Sequence, residues 1–261
     1  MRIAGIFGLF PMMGLAIRAA FWPIILAVWH APSLLFRPQA LSTLVTTHVW
    51  RVCGSWVDEH SRDTKKALIT PHAHGIVLEI GPSYGHTIQY LDHSRVTKYV
   101  AVEPNVLMHP ELRRVASAAG YSEDAGTLLI LSCGAEDISA ILSSLPAPHP
   151  PIDTLISIFT LCSIPAPQLT TSALITEALK PGGQVLLFEH MRSDMEDVAW
   201  WQRFWTPMWG LLFDGCELNR PTHRWIEDVG GWAEGKWSIL GKEGEPEELI
   251  NYRVGRFVRA E

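Results

Sequence analysis

Val77-Leu78-Glu79-Ile80-Gly81-Pro82-Ser83-Tyr84-Gly85 decides the fold. A short apolar run that ends in glycine reads as a buried parallel strand running into a tight loop. Working outward, Tyr99–Val102, Leu128–Leu131, Thr154–Phe159 and Gln184–Phe188 repeat the pattern. Helix-compatible stretches fall between them near 84–91, 110–119, 136–145 and 167–179. Lys180-Pro181-Gly182-Gly183 reads as a helix stop and turn before the fifth strand. Strands and helices in this alternation make βαβ units, so the expected fold is α/β, with a doubly wound, mostly parallel sheet. Trp237–Leu240 and Tyr252–Val258, flanking a Gly/Glu/Pro-rich turn, suit a closing antiparallel hairpin.

The rest of the chain is unevenly built. Of 261 residues, 48% are hydrophobic and the net charge is −6, which argues against disorder and against a general nucleic-acid binder. The first 57 residues hold four arginines and no acid. No tryptophan occurs between Trp56 and Trp200, although the chain has 11. Ile3 to Trp29 is apolar apart from Arg18, long enough to cross a bilayer if Arg18 snorkels. Pro11 and Pro23 would kink a single helix, and a monotopic insertion or shallow hairpin fits as well. A cleaved signal peptide fits poorly, because only Arg2 precedes the apolar run and no small-residue cleavage site follows. The expected organisation is a membrane-anchor segment over 1–36, a helical lead-in and charged linker over 37–75, and a ligand-binding domain over 76–261. An aromatic helical insertion falls within that domain at about 196–230. Trp201, Phe204, Trp205, Met208, Trp209 and Leu212 recur there at helical spacing. Such a stripe is either core packing or a lid over a lipophilic substrate.

Chemistry is expected at the carboxyl ends of the parallel strands. Glu79, Gly81, Ser83 and Gly85 mark the first loop. Glu103-Pro104 ends the second strand, where a carboxylate can accept both hydroxyls of a ribose. A nicotinamide enzyme is the competing reading, but the loop lacks the GxGxxG spacing. His190, at the end of the fifth strand, is the best-placed base, and Asp214 is a second catalytic candidate. His223 is a weaker one, with a surface histidine as its plainer reading. No Cys/His arrangement is evident that would make Cys216 reactive. The four cysteines lie far apart with no CxxC, and His72 and His74 sit in the linker without acidic partners, so no metal site is expected.

The set of motifs over roughly 74–190 resembles a class I, type 11, S-adenosylmethionine-dependent methyltransferase, and that resemblance implies a seven-stranded, Rossmann-like sheet with S-adenosyl-L-methionine as cofactor. Val77–Gly85 resembles the first cofactor motif and Glu103 the ribose-binding acid. Ala135-Glu136 sits where such proteins contact the adenine, and Thr160-Leu161-Cys162-Ser163 follows the fourth strand. Phe188-Glu189-His190 and Leu211–Leu218 are similar to a narrower group, the membrane-associated thiol S-methyltransferases. That likeness implies a small lipophilic acceptor, a thiol by preference. It also implies the surface of the endoplasmic reticulum or of lipid droplets, with the catalytic domain facing the cytosol. Oxygen or carbon acceptors, including those of specialised metabolism, stay open. One departure stands out. The family pattern reads Gly-x-Gly-x-Gly, whereas here Pro82 removes a backbone donor and Ser83 fills the middle position. That departure keeps a second reading open: a cofactor-binding membrane protein that catalyses rearrangement or mediates interactions without methylating.

Overall fold

The computed structural model describes residues 6–148, 150–239 and 247–261. Ile3 and Leu240, ends of two of the runs above, lie outside these residues. One seven-stranded sheet runs in the order β3-β2-β1-β4-β5-β7-β6. Its strands are β1 (Gly75–Ile80), β2 (Val96–Val102), β3 (Leu128–Leu131), β4 (Ile152–Ile158), β5 (Leu179–Met191), β6 (Trp232–Ile239) and β7 (Asn251–Arg259). β1 through β5 pair in parallel, and β7 enters antiparallel between β5 and β6. The strand order reverses between β1 and β4, and a ligand crevice opens at such a switch point. The helices are α1 (Phe10–His30), α2 (Pro38–Ile69), α3 (His109–Ala118), α4 (Ile138–Ser143), α5 (Pro167–Ala173), α6 (Glu196–Leu212) and α7 (Thr222–Val229).

Two apolar clusters cover the two faces of the sheet. One gathers Leu78, Ile80, Val100 and Leu155 with Leu174 and Ile226. The other gathers Val77, Tyr99, Ala101 and Ile156 with Leu68, Ile69 and Leu112. Alternate residues of one strand thus go to opposite faces, and both faces are dry, so the strands read as unbroken apolar runs.

Three expectations are corrected. The charged stretch 58–75 is not a linker up to its last residues, because α2 continues to Ile69. One of its ion pairs lies inside the protein. Lys65 Nζ lies 2.9 Å from Asp58 Oδ1, with both side chains almost fully buried. Tyr90 and Gln89 also donate to the Asp58 carboxylate. The helix expected near 84–91 is a turn with a single 3₁₀ turn at Ile88–Tyr90. Leu68 and Ile69 of α2 pack beside Ile88, Tyr90 and Val96, so α2 covers the sheet where that helix would lie. Lys180–Gly183 does not precede β5 but bulges within it, since Leu179 pairs with Ile152 while Gln184 pairs with Thr154.

α1 is one continuous helix, with Pro11 in its first turn and Pro23 in its interior. It is long and apolar enough to cross a membrane. Ala16 and Ala20 are buried against Val45 and Val49 of α2. Leu9 and Met13 reach Trp205 and Trp209 of α6. The opposite side of α1 exposes Phe21, Trp22, Leu26 and Trp29. The two alanines let the α1 and α2 backbones approach closely, which gives a test. Ala20→Leu should overpack that contact and cost about 1–3 kcal/mol in denaturation of the detergent-solubilised protein. Leu26→Ala on the exposed side should change it by less than about 0.5 kcal/mol. Equal effects would contradict the packing.

Candidate active site

A cavity of about 580 Å³ opens at the carboxyl ends of β1, β2, β4 and β5. The sheet forms its floor. α2 contributes Thr43, Trp50 and Cys53, α6 contributes Trp209, and α1 contributes Met12 and Leu15. Of the residues singled out from sequence, Glu79, Gly81, Ser83, Glu103, Pro104, Ala135, Glu136, Thr160, His190 and Asp214 all line it. Gly85 does not. Its backbone has φ +83°, and a Cβ there would stand 2.9 Å from Leu112 Cδ1, so it serves the turn and its packing on α3.

The first loop is bent by three left-handed residues, Gly81, Ser83 and Gly85. At Gly81 a Cβ would lie 2.5 Å from Thr160 Cγ2, so glycine is required for steric as well as conformational reasons. Ser83 takes φ +53° although it carries a side chain. Its Oγ is buried without a hydrogen-bond partner. What this conformation gains is the direction of one amide: Ser83 N–H donates to Glu103 Oε2 at 2.9 Å. Asn105 N–H donates to Oε1 at 2.9 Å. The carboxylate is 5% exposed, and burial pushes its pKa up to about 6 against the pull of these two amides. Each oxygen keeps a free lone pair on the cavity side. Glu79 is wholly buried beneath, where burial pushes it up to about 7 against hydrogen bonds from Tyr99 and Thr87.

The donor set fits a nucleoside with a vicinal diol. A buried carboxylate faces the cavity with acceptor capacity left over, and the glycine at 81 opens the floor where a side chain would collide. Ala135 is buried and Glu136 exposed at the β3 side of the cavity. Thr160 N–H and Leu161 N–H donate to the buried Glu189 carboxylate at 3.0 and 3.2 Å, which fixes the turn after β4.

The far end of the cavity differs from what the spacing of residues suggested. His190 Nε2 stands 3.2 Å from Cys216 Sγ, and Cys162 lies within the same group. A Cys/His arrangement therefore exists, formed by residues 28 and 26 positions from His190, and no local motif could have announced it. Burial opposes protonation of His190, but Cys162 and Glu189 outweigh it and leave its pKa raised. The Cys162 thiol is pushed well up by its bond with Cys216 and by burial. Asp214, also at positive φ, accepts from Gln39 Nε2 and Thr43 Oγ1 at 2.8 Å each. It ties the end of α6 to α2. His223 is buried rather than at the surface, 3.5 Å from Asp194. His74 Nδ1 is 3.0 Å from the His72 carbonyl. Asn105 and Thr47 are neighbours of the site that sequence reasoning passed over, and Cys162 was placed in the segment after the fourth strand without a role of its own. Only Asn105 carried a signal, standing two residues after Glu103.

A sheet in this order, with its cavity over β1, β2 and β4, defines the class I methyltransferase fold. The methyltransferase-domain family model matches residues 55–232, and the chain belongs to that family. Among characterised proteins it is similar to thiol S-methyltransferase TMT1B of Homo sapiens, 30% identical over 105 residues, which are 40% of this chain and 40% of that protein. It is 34% identical to TMT1B of Rattus norvegicus over 77 residues, 29% of this chain and 31% of that protein. The matches thus span less than half the length of these relatives. Among solved structures, the N-methyltransferase NodS of Bradyrhizobium japonicum WM9, in complex with S-adenosyl-L-homocysteine, superposes with a TM-score of 0.53 at 13% identity. That superposition covers 78% of this chain and 88% of NodS.

The strained loop supplies a test. Ser83→Gly relieves a left-handed backbone and an unpaired hydroxyl, and is expected to leave stability equal or higher by up to about 1 kcal/mol. Gly81→Ser, which must displace Thr160, should cost more than about 1 kcal/mol. Urea midpoints of the two variants check this, and a destabilised Ser83→Gly would contradict it.

Proposed function

We propose that the protein is a membrane-associated, S-adenosylmethionine-dependent methyltransferase acting on a small lipophilic acceptor, with a thiol as the favoured acceptor group. The observation that carries the proposal is the buried Glu103 carboxylate, held by two loop amides and facing a cavity whose other end is lined by sulfur, imidazole and aromatic rings. Glu103 would accept the ribose hydroxyls, with Glu79, Gly81, Ser83 and Pro104 forming the surrounding cradle. Ala135 and Glu136 would flank the adenine, and Thr160 would close the floor. When bound, the cofactor supplies a methyl group on a positively charged sulfonium. The protein's own share is to hold the acceptor in line and keep water out. Trp209, Phe213 and Ile250 wall the acceptor end. A thiol ionises near pH 8.5, so it needs less help from a base than an alcohol does. His190 lies at that end of the cavity, and Asp214 would act through the helices it joins.

The exterior supports a membrane setting. Trp200, Phe204, Met208 and Leu211 form an exposed stripe along α6. Phe10 of α1 packs against the buried Trp205 of α6, with ring centroids 5.4 Å apart, so the two helices are in direct contact. Such a face suits insertion into one leaflet, with tryptophans at the headgroup level. The resemblance to thiol methyltransferases favours the endoplasmic reticulum or lipid droplets, with the sheet domain on the cytosolic side. Met12 and Leu15 connect that face to the cavity, a route for a lipid-dissolved substrate.

The full chain in detergent, given S-adenosylmethionine and a panel of alkyl and aryl thiols, should form S-adenosylhomocysteine and methyl thioether in equal amounts. Turnover with alcohols or carbon acids but not thiols would overturn the acceptor. Silence on every acceptor from a folded, cofactor-binding sample would overturn methyl transfer.

A further inference from the structure

Three soft donors from three distant segments meet at the acceptor end of the cavity. Cys162 comes from the turn after β4, His190 from the end of β5, and Cys216 from the loop after α6. All three are buried, and their ligand atoms lie within 4.8 Å of one another. All three also line the cavity. The Cys216 sulfur accepts from Trp209 Nε1 at 3.2 Å and faces His190 Nε2 at 3.2 Å. His190 is 6% exposed, and its Nδ1 has no partner among the described residues.

We propose that Cys162, His190 and Cys216 hold a zinc ion, with the fourth coordination position open to the cavity and available to the sulfur of the acceptor thiol. Zinc with three protein ligands and one open position is the arrangement of catalytic sites, and a two-thiolate, one-imidazole set matches its preference. Tetrahedral bonds of about 2.3 Å to sulfur and about 2.0 Å to nitrogen imply N···S separations of about 3.5 Å and S···S separations of about 3.8 Å. The ring and the Cys216 sulfur need to part by only a few tenths of an ångström from 3.2 Å. Two thiolates neutralise the ion. Arg220, buried and donating to the carbonyls of Leu161 and Ile164 at 2.8 Å each, adds positive charge that is felt at His190. That charge favours a third thiolate. On binding, the acceptor's S–H bond breaks, its proton passes to water, and the sulfur lone pair forms the bond to zinc.

The site itself stands on geometry alone; its use by an acceptor thiol rests on the methyltransferase reading. The full chain in detergent is equilibrated with zinc, dialysed and assayed for metal, and cobalt(II) is substituted for spectroscopy. About one zinc per chain is expected, retained in Cys133→Ser, with affinity falling more than about tenfold in Cys162→Ser and in Cys216→Ser. The cobalt form should show thiolate charge-transfer absorption that shifts when an alkyl thiol is added. Zinc-edge X-ray absorption on the wild-type protein needs no variant, and should show two sulfurs and a nitrogen. No retained zinc, or a shell of nitrogen and oxygen only, would overturn the site. Charge-transfer bands indifferent to added thiol would overturn the open position. S-adenosylhomocysteine titrated into the same samples separates the two proposals. Methyl transfer from zinc-free protein would end this one and leave the other standing, and zinc binding without methyl transfer would do the reverse.

Discussion

A buried carboxylate must be supplied with hydrogen bonds or give up its charge, and Glu103 organises the molecule around that requirement. Its two oxygens take the amides of Ser83 and Asn105, which fixes the loop after β1 and the turn after β2 together. From there the ties run upward. Asn105 Nδ2 donates to Thr47 Oγ1 at 2.7 Å, and Tyr84 donates its hydroxyl to the Thr47 carbonyl at 3.0 Å, so α2 is pinned over the loop. α2 in turn holds the end of α6 through Asp214. A continuous series of polar contacts therefore joins Glu103 at the sheet to the helices that carry the aromatic surface. The cost of the left-handed Ser83 is borne locally, because that residue's amide faces the charge that most needs it.

The long helix α2 links the two kinds of environment. Its C-terminal half covers the sheet, with Leu68 and Ile69 in the core and an Asp58–Lys65 pair held inside. Its N-terminal half receives α1 through small residues. α1 is thus packed against the domain and not flexibly tethered to it. A cavity walled partly by α1 and α2 then stands close to any bilayer that α1 enters.

Much of this was legible in the chain. Five apolar runs at regular spacing specified the parallel sheet, because both faces of such a sheet are dry and period-two alternation disappears. A glycine at 81 and an acid at 103 marked the cavity floor, and a glycine at 85 the turn beside it, for the same local reason: strand ends are where loops turn and backbones approach ligands. The errors came from distance. The buried Asp58–Lys65 pair looked like part of a charged linker because the other partners of Asp58, Gln89 and Tyr90, lie far along the sequence. Cys162, His190 and Cys216 looked unrelated because no short motif contains them, and only the closing of β4, β5 and α6 over one cavity brings them together. The aromatic stripe on α6 was read as one face. In the structure Trp205 and Trp209 point inward while Phe204 and Met208 point outward, so the helix is apolar on both sides.

The central claim is that Glu103 is the acid that accepts the cofactor's ribose. Calorimetric titration of S-adenosylhomocysteine into the full chain in detergent, across pH 5 to 8, tests it most directly. The ionised carboxyl is the form that accepts two hydroxyls, and its pKa lies at about 6. Affinity should therefore be level above that pH and fall by about tenfold per unit below it. Glu103→Ala should bind far more weakly and lose the acid-limb dependence. Binding that is equally tight in the variant, or indifferent to pH in the wild type, would contradict the account.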